Sequence, residues 1–392
     1  MFNASLLTNP DLQDFLKEAF SKKTDPLKIA TFLSKEYAPE ERKLILDYFL
    51  LFKKMEEKFG TTDFLLCDKL ALEQSTAKDI SRVKGTFFPE NVHVYDLCCG
   101  MGGDSFFLPD SIKITGVDLD ENRLSMYLYN MKVFKKNPAV LNMNVCEVHK
   151  KENTKNAYFM IDPARRKAET ENQRRLENLT PDFEEILEIA KHYKGGIAKL
   201  PPAFPLEKIP RNSEIVYLGA HDDCRECLVL FGALMKNPHK IQAIQVHKNG
   251  TIDTSWISES DFSLIQNLSV KPLNNYIAEP SPLLIRSHLF SELVPENAGI
   301  LSENIAYITS ETPIALTGFR NFKVLDFCPL STSKIKGMLR KRNIGKLTLK
   351  KRGVEINPEQ EIKRLSPKGN LEAILFYTRI QGEKYAILTH EI

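Results

Sequence analysis

At 392 residues the chain can hold two or three domains, and 42% hydrophobic with 27% charged residues excludes a disordered chain or a fibre. A net charge of +3 is too small to name a partner by itself. Seven cysteines, with Cys98 and Cys99 adjacent, argue against a secreted disulfide framework and for reduced thiols. The opening MFNASLLTNPDLQDF lacks a leader pattern and no run approaches eighteen apolar residues, so the expected compartment is the cytoplasm, with no membrane partner.

The first ninety residues read as helices. Asn9-Pro10 and Asp25-Pro26 are start signals, a capping side chain followed by proline in the first turn. From Pro39 to Phe59, Leu44, Ile45, Tyr48, Phe49, Leu51 and Phe52 fall on one broad face of a helix. From His93 onward short apolar strands (HVYDL, IKITGV, AVLNMN, AYFMI, GGIAKL, EIVYL) alternate with helical spacing over residues 121–136 and 183–190. That rhythm predicts a parallel sheet covered on both faces, with ligands beyond the carboxyl ends of its strands. Near Lys271 the stretch KPLNNYIAEPSPL, with three prolines, breaks the rhythm and reads as a domain junction. Residues 331–354 then hold nine cations and no acid.

The stretch VYDLCCGMGGDS places glycines directly after the first strand, where a backbone can approach a ligand closely. A dinucleotide site wants G-x-G-x-x-G; counted from Gly100, the third glycine falls on Ser105, and Asp96 would repel a pyrophosphate. The same carboxylate would attract the ammonium of a methionine moiety, which favours S-adenosylmethionine as cofactor. Asp118 ends the second strand, where a carboxylate can accept both ribose hydroxyls; the alternatives are a helix cap for Asp118 itself or Asp120 as the ribose ligand.

"DLCCGMGGD" followed by "GVDLD" resembles motif I and the ribose acid of class I S-adenosylmethionine-dependent methyltransferases. The set continues with LALEQSTAKDISRVKG, MIDPARR, KLPP, DDCREC, YIAEPSP, YITSE and RNIGKLTLKKRGVEINPE, similar to bacterial methyltransferases with a C-terminal THUMP-like domain, from about residue 65 to the end. The resemblance implies an α/β protein with a Rossmann-like methyltransferase sheet, an N-terminal helical module and a C-terminal α+β region. The expected domains are 1–88 helical, 89–272 methyltransferase, 273–320 ferredoxin-like and 321–392 THUMP-like, RNA-binding. It also implies cofactor contacts from Gln74, Ser75, Asp96, Cys98, Gly100, Gly102, Asp104 and Asp118, Cys98 standing where the family has its first motif glycine; for Gln74 and Ser75 an exposed helix cap is the alternative. The adenine reader is expected among Asn144–Glu147, with Glu147 taken as the candidate.

Asp162, Pro163, Arg165 and Arg166 sit where the fourth strand should end. Such a turn resembles the D-P-P-Y motif of enzymes that methylate exocyclic amines, with Arg165 in place of the aromatic, able to stack on a base or grip a phosphate; an ion pair within the fold is the alternative. Residues 164–180 are polar and aperiodic and read either as a substrate lid or as a surface connection. Carbon methylation would need a cysteine nucleophile near the base, and KLPP offers none; Cys224-x-x-Cys227 reads as a packed turn, and no metal is expected.

Arg340, Lys341, Arg342, Lys350, Lys351 and Arg352 in the basic tail are the expected RNA contacts, by backbone or shape because aromatics are absent there; a solvated face is the alternative. Glu279 and Arg286 are expected to brace an interdomain contact. The reading is a methyltransferase of structured RNA, tRNA or rRNA, acting on a base amine. Its rivals are a small-molecule or protein methyltransferase and a non-catalytic RNA-binding protein that kept the fold.

Overall fold

The computed structural model describes residues 3–61, 63–165, 179–265 and 268–392, apart from the Arg165 side chain. They form two compact units, one of residues 1–221, 225–239 and 244–255, the other of 222–224, 240–243 and 256–392.

The first unit opens with α1 (Ala4–Leu7), α2 (Pro10–Ser21), α3 (Pro26–Leu33), α4 (Pro39–Phe59), α5 (Lys69–Gln74) and α6 (Lys78–Gly85). The two proline starts are as expected: Asn9 accepts from Leu12 N and Asp25 from Leu27 N, satisfying amides that have no partner inside the helix. α4 buries Ile45, Tyr48, Phe49, Phe52, Met55 and Phe59 and stops at Gly60, whose φ of +65° suits glycine. These side chains belong to one apolar core with Val94, Phe106, Tyr158 and Ile197 of the sheet region, so helices and sheet stabilise each other. Phe52 packs on Phe20 and Phe64 at centroid distances of 4.3 and 4.1 Å.

Strands β1 (His93–Leu97), β2 (Lys113–Asp118), β3 (Ala139–Asn142) and β4 (Tyr158–Ile161) follow, with α7 (Glu121–Val133) and α8 (Val148–Lys151) between them. After the two-residue strands β5 (Ala164–Arg165) and β6 (Leu179–Thr180) come α9 (Phe183–Ala190), β7 (Gly195–Leu200), β8 (Glu214–Ala220), β9 (Asp223–Gly232), β10 (Ile241–Val246) and β11 (Ile252–Ile257). The nine-stranded sheet has the order β11-β10-β8-β9-β7-β4-β1-β2-β3. β3, β2, β1, β4 and β7 are parallel neighbours, and β9 pairs antiparallel to β7. The first strand is therefore the middle one of the five parallel strands, and its carboxyl end opens where the strand order reverses, between β1 and β4.

The expected packed turn at Cys224-x-x-Cys227 is a correction: both cysteines are buried on β9. The reversal lies earlier, at His221 and Asp222, whose φ values of +53° and +59° make a two-residue connection without glycine. β9 to β11 thus extend the sheet past the six strands expected.

The second unit is built on β12 (Tyr276–Pro280), β13 (Gly299–Ser302), β14 (Ile305–Ser310), β15 (Phe319–Pro329), β16 (Ile344–Lys351), β17 (Leu371–Ile380) and β18 (Glu383–Glu391). Their order is β13-β14-β12-β15-β18-β17-β16, so β15 joins residues on both sides of position 320 in one sheet. Helices α10 (Pro282–Arg286) and α11 (Phe290–Leu293) precede β13. α12 (Thr332–Lys341) and α13 (Pro358–Leu365) cover one face through Ile335, Met338, Leu339 and Leu365, while Ile277, Phe322, Phe376 and Ile387 fill the other.

Phe52→Ala empties a fully packed site, and urea denaturation is expected to register a loss of about 3–5 kcal/mol.

Candidate active site

The loop after β1 is shaped by backbone geometry. Cys98, Gly100 and Gly102 all have positive φ, at +66°, +53° and +102°. For Cys98 that left-handed conformation costs on the order of 1–2 kcal/mol, which a glycine there would avoid. Gly100 N donates to Asp118 Oδ2 at 3.1 Å, and Asp118 Oδ1 accepts from Asp120 N at 3.0 Å. The cap of α7 is Asp120, which accepts from Asn122 N, so Asp118 instead ties the ends of β1 and β2 together. A Cβ at Gly100 would meet only a carbonyl 4.0 Å away, so the space over this loop is open to a ligand. A Cβ at Gly103 would come within 2.9 Å of Thr76 N, so the turn after α5 closes directly onto the loop. On that turn Ser75 Oγ donates to Leu72 O at 2.9 Å, and Gln74 is exposed.

Below the loop lies a buried group of charges. Lys84 of α6 contacts Asp104 and lies 2.9 Å from Glu226 Oε2, and it donates to Thr76 Oγ1 at 3.1 Å. Lys199 of β7 donates to Asp162 Oδ2 at 2.6 Å and lies 3.3 Å from Glu226 Oε1. Thr76 donates to that same Oε1 at 2.9 Å. A narrow pocket is lined by Lys84, Asp96, Asp104, Asp162 and Lys199, with apolar walls from Met160 and Ile197.

Burial raises Asp162 above the ordinary carboxylate range despite the attraction of Lys199. It also pushes Asp96 well up, helped by the negative charge of Asp104. Burial opposes the charge on Lys84, but Asp104 and Glu226 outweigh it and raise that ammonium. The same contest holds Asp104 and Glu226 below the usual range, because the two lysines win over desolvation. Two ammonium groups thus face three carboxylates, Asp104, Glu226 and Asp162, with Asp96 behind them, its carboxyl raised by burial and by Asp104. The pocket suits a ligand that brings one positive charge.

Beyond β2, Leu119 is 68% exposed, a large apolar side chain left uncovered next to Asp118. Glu147 ends a short 3₁₀ turn capped by Asn144; it is exposed and lies 3.8 Å from Lys150. Asp162 and Pro163 directly follow β4, and the ends of the expected lid pair as β5 and β6. Arg166 and the rest of that segment up to 178 lie outside the described residues, as does the Arg165 side chain.

Residues 319–391 match the family described as THUMP domain-like. Two Mycobacterium tuberculosis sequences, from strains CDC 1551 and H37Rv, are each 25% identical over 330 residues, covering 82% of this chain and 86% of theirs. Both carry the description "uncharacterized S-adenosylmethionine-dependent methyltransferase". A crystal structure from Porphyromonas gingivalis W83, described as a "putative methyltransferase", covers 100% of both chains with a TM-score of 0.74 at 20% identity. Over most of its length the chain is thus similar to proteins described as S-adenosylmethionine-dependent methyltransferases, it shares the fold of the Porphyromonas gingivalis structure, and its C-terminal residues match the THUMP domain-like family.

Of the methyltransferase residues expected at the site, Asp96, Cys98, Gly100, Gly102, Asp104, Asp118, Asp162 and Pro163 gather at the carboxyl ends of β1, β2 and β4. Thr76, Lys84, Lys199, Glu226 and Leu119 were not singled out. Four of them stood in the stretches LEQST, SRVKG, KLPP and DDCREC, but their pairing is long-range and leaves no local spacing to read. In the THUMP-like domain, Arg340, Lys341, Arg342 and Lys351 are exposed. Lys350 and Arg352 instead converge on Glu279, which is 14% exposed, Arg352 stacking 4.7 Å from the Tyr307 ring centroid. Glu279 therefore braces β12 against β16 within the second unit, across the boundary expected at residue 320.

Replacing Lys84 by Met strands two buried carboxylates, and denaturant titration is expected to register a loss of about 3–5 kcal/mol at neutral pH. Asp104 and Glu226 have folded pKa values below their unfolded ones, so their contribution is present at neutral pH and fades as pH falls through those lowered values. The penalty of Lys84→Met should shrink over the same acidic range.

Proposed function

We propose that this methyltransferase modifies a base amine of structured RNA, tRNA or rRNA, with Asp162 as the group that receives the acceptor. The observation that carries this reading is a part-buried carboxylate at the end of β4, fixed by Lys199 at 2.6 Å and followed by proline. When bound, the cofactor supplies an electrophilic methyl group on a sulfonium. Everything else asked of the protein is alignment and a polar pocket shielded from water. On this reading Asp118 would accept the ribose hydroxyls, Leu119 would cover the purine face, Gln74 and Ser75 would close the methionine end, and Asp96 would face the ammonium.

Asp162 would accept an N–H of the amine, turning the nitrogen lone pair toward the methyl group. A carboxylate raised by burial also suits taking up the proton that the nitrogen must lose. Lys199 keeps that carboxylate in one orientation. Arg340, Lys341, Arg342 and Lys351 present charge to a phosphate backbone, and the THUMP-like match over the same residues supports RNA as the partner.

The test is methyl-labelled S-adenosylmethionine with total RNA from a host lacking the gene. Label is expected in one tRNA or rRNA size class, reduced at least about 100-fold by Asp162→Asn while calorimetric cofactor affinity persists. Label confined to protein or small metabolites would overturn the RNA reading. The rate should fall as pH drops through the raised pKa of Asp162, since the protonated acid cannot accept the amine proton. Changing Arg340, Lys341 and Arg342 together to Ala should weaken RNA binding for all sequences alike and flatten its log–log salt slope by about 2–3, as read by filter binding.

A further inference from the structure

Asp96 is only 3% exposed, and Ser105 Oγ donates to its Oδ2 at 2.6 Å. Ser105 is completely buried and its oxygen accepts from Tyr127 OH at 2.9 Å. Tyr127 is completely buried too, on α7. With Asp96 charged the chain runs one way, because the serine spends its single proton on the carboxylate and receives that of the phenol. Room for the ring is made by two glycines: a Cβ at Gly116 would fall 2.6 Å from Tyr127 Cε1, and one at Gly102 would fall 3.1 Å from Cδ2. Gly116 is the residue opposite Asp96 on β2. Four positions, Ser105, Tyr127, Gly116 and Gly102, are thus accounted for by one relay that ends on a carboxyl lining the pocket.

Two polar side chains at the bottom of an apolar core are costly unless their hydrogen bonds are complete, and an apolar pair of similar size would fill the space without them. What they add is a dipole chain whose positive ends all point at Asp96. We infer that Ser105 and Tyr127 are positioning residues of the cofactor site, a hydroxyl relay that holds Asp96 to receive the ammonium group of S-adenosylmethionine. The inference rests on the reading of this pocket as the cofactor site.

A proton is linked to it. Asp96 is faced by Asp104 of the glycine loop, Lys84 of α6, Asp162 beyond β4 and Tyr127 of α7, with the neutral thiols of Cys98 and Cys99 alongside and Lys199 on the same pocket wall. Burial and the two neighbouring carboxylates favour its neutral form, while Lys84 and the Ser105 hydroxyl favour the charge. In the neutral form, with Oδ2 accepting from Ser105, the proton would be carried on Oδ1. An arriving ammonium tips this balance: the Oδ1–H bond breaks, its electron pair stays on the carboxylate, and the proton leaves to solvent. Affinity for the cofactor therefore rises with pH up to the raised pKa of Asp96 and levels off above it.

The experiment is isothermal calorimetry of the full chain with S-adenosylmethionine and with 5′-methylthioadenosine, which keeps the nucleoside but lacks the amino-acid end. Buffers of different ionisation heat count the protons released. Ser105→Ala is expected to weaken S-adenosylmethionine about tenfold and Tyr127→Phe about threefold, the scale of a hydrogen bond to a charged group and of its support. Methylthioadenosine affinity should stay within about twofold, and proton release should vanish in Asp96→Asn. Equal losses for both ligands, unchanged cofactor affinity in Ser105→Ala, or wild-type binding without proton release would each overturn the relay. Should Ser105→Ala fail to fold, Tyr127→Phe carries the same comparison. A wild-type protein that binds no S-adenosylmethionine would remove the cofactor-site reading and the relay with it, a result distinct from the others.

Discussion

Five side chains, Lys84 and Glu226 buried and Lys199, Asp104 and Asp162 half-buried, bind together parts of the first unit that are far apart in sequence: α6, the glycine loop, the end of β4, β7 and β9. Each carries a charge whose removal from water is expensive, and the cost is offset only when every partner is in place. The cluster therefore acts as an assembly condition. α6 sits against the glycine loop because Lys84 has nowhere else to put its charge, and Ser81 Oγ adds a bond to Asp104 O at 2.9 Å. Thr76 lies between the two lysines and Glu226, so the turn that closes over the loop is part of the same condition.

Around this charged centre the apolar packing is ordinary but shaped to serve it. Asn130, fully buried on α7, accepts from Leu66 N and donates to Leu66 O and Met101 O, joining the segment before α5 to the glycine loop. Lys58, at the end of α4, donates to Leu72 O at 2.6 Å and so holds the last turn of α5. Burial and the repulsion of Lys199 lower that ammonium to about 8. Helices that a sequence reading sets apart from the sheet are thus tied to it by both core and polar contacts.

What could be read in the sequence is what is encoded locally. Asn9-Pro10 and Asp25-Pro26 mark helix starts because cap and proline act within one turn. The glycine loop and Asp118 were legible because a close backbone approach needs residues without bulk directly after a strand. The β8–β9 reversal was not, since His221 and Asp222 take left-handed backbones without the glycine or asparagine that announces one. Nor could nine cations reveal which faced water. Lys350 and Arg352 are claimed by Glu279, a residue far upstream that meets them only through the order of the second sheet. Charge patterns give sign and density, whereas pairing is a property of the fold.

The one carboxylate charge that the pocket carries in excess gives the site a direction. On the proposed reaction the cofactor enters as a sulfonium and leaves as a thioether, one positive charge poorer. In a low-dielectric pocket a unit of charge matters far more than it would in water. The wall that attracts the incoming molecule loses its electrostatic hold on the outgoing one, so turnover itself loosens the by-product and clears the site for the next round.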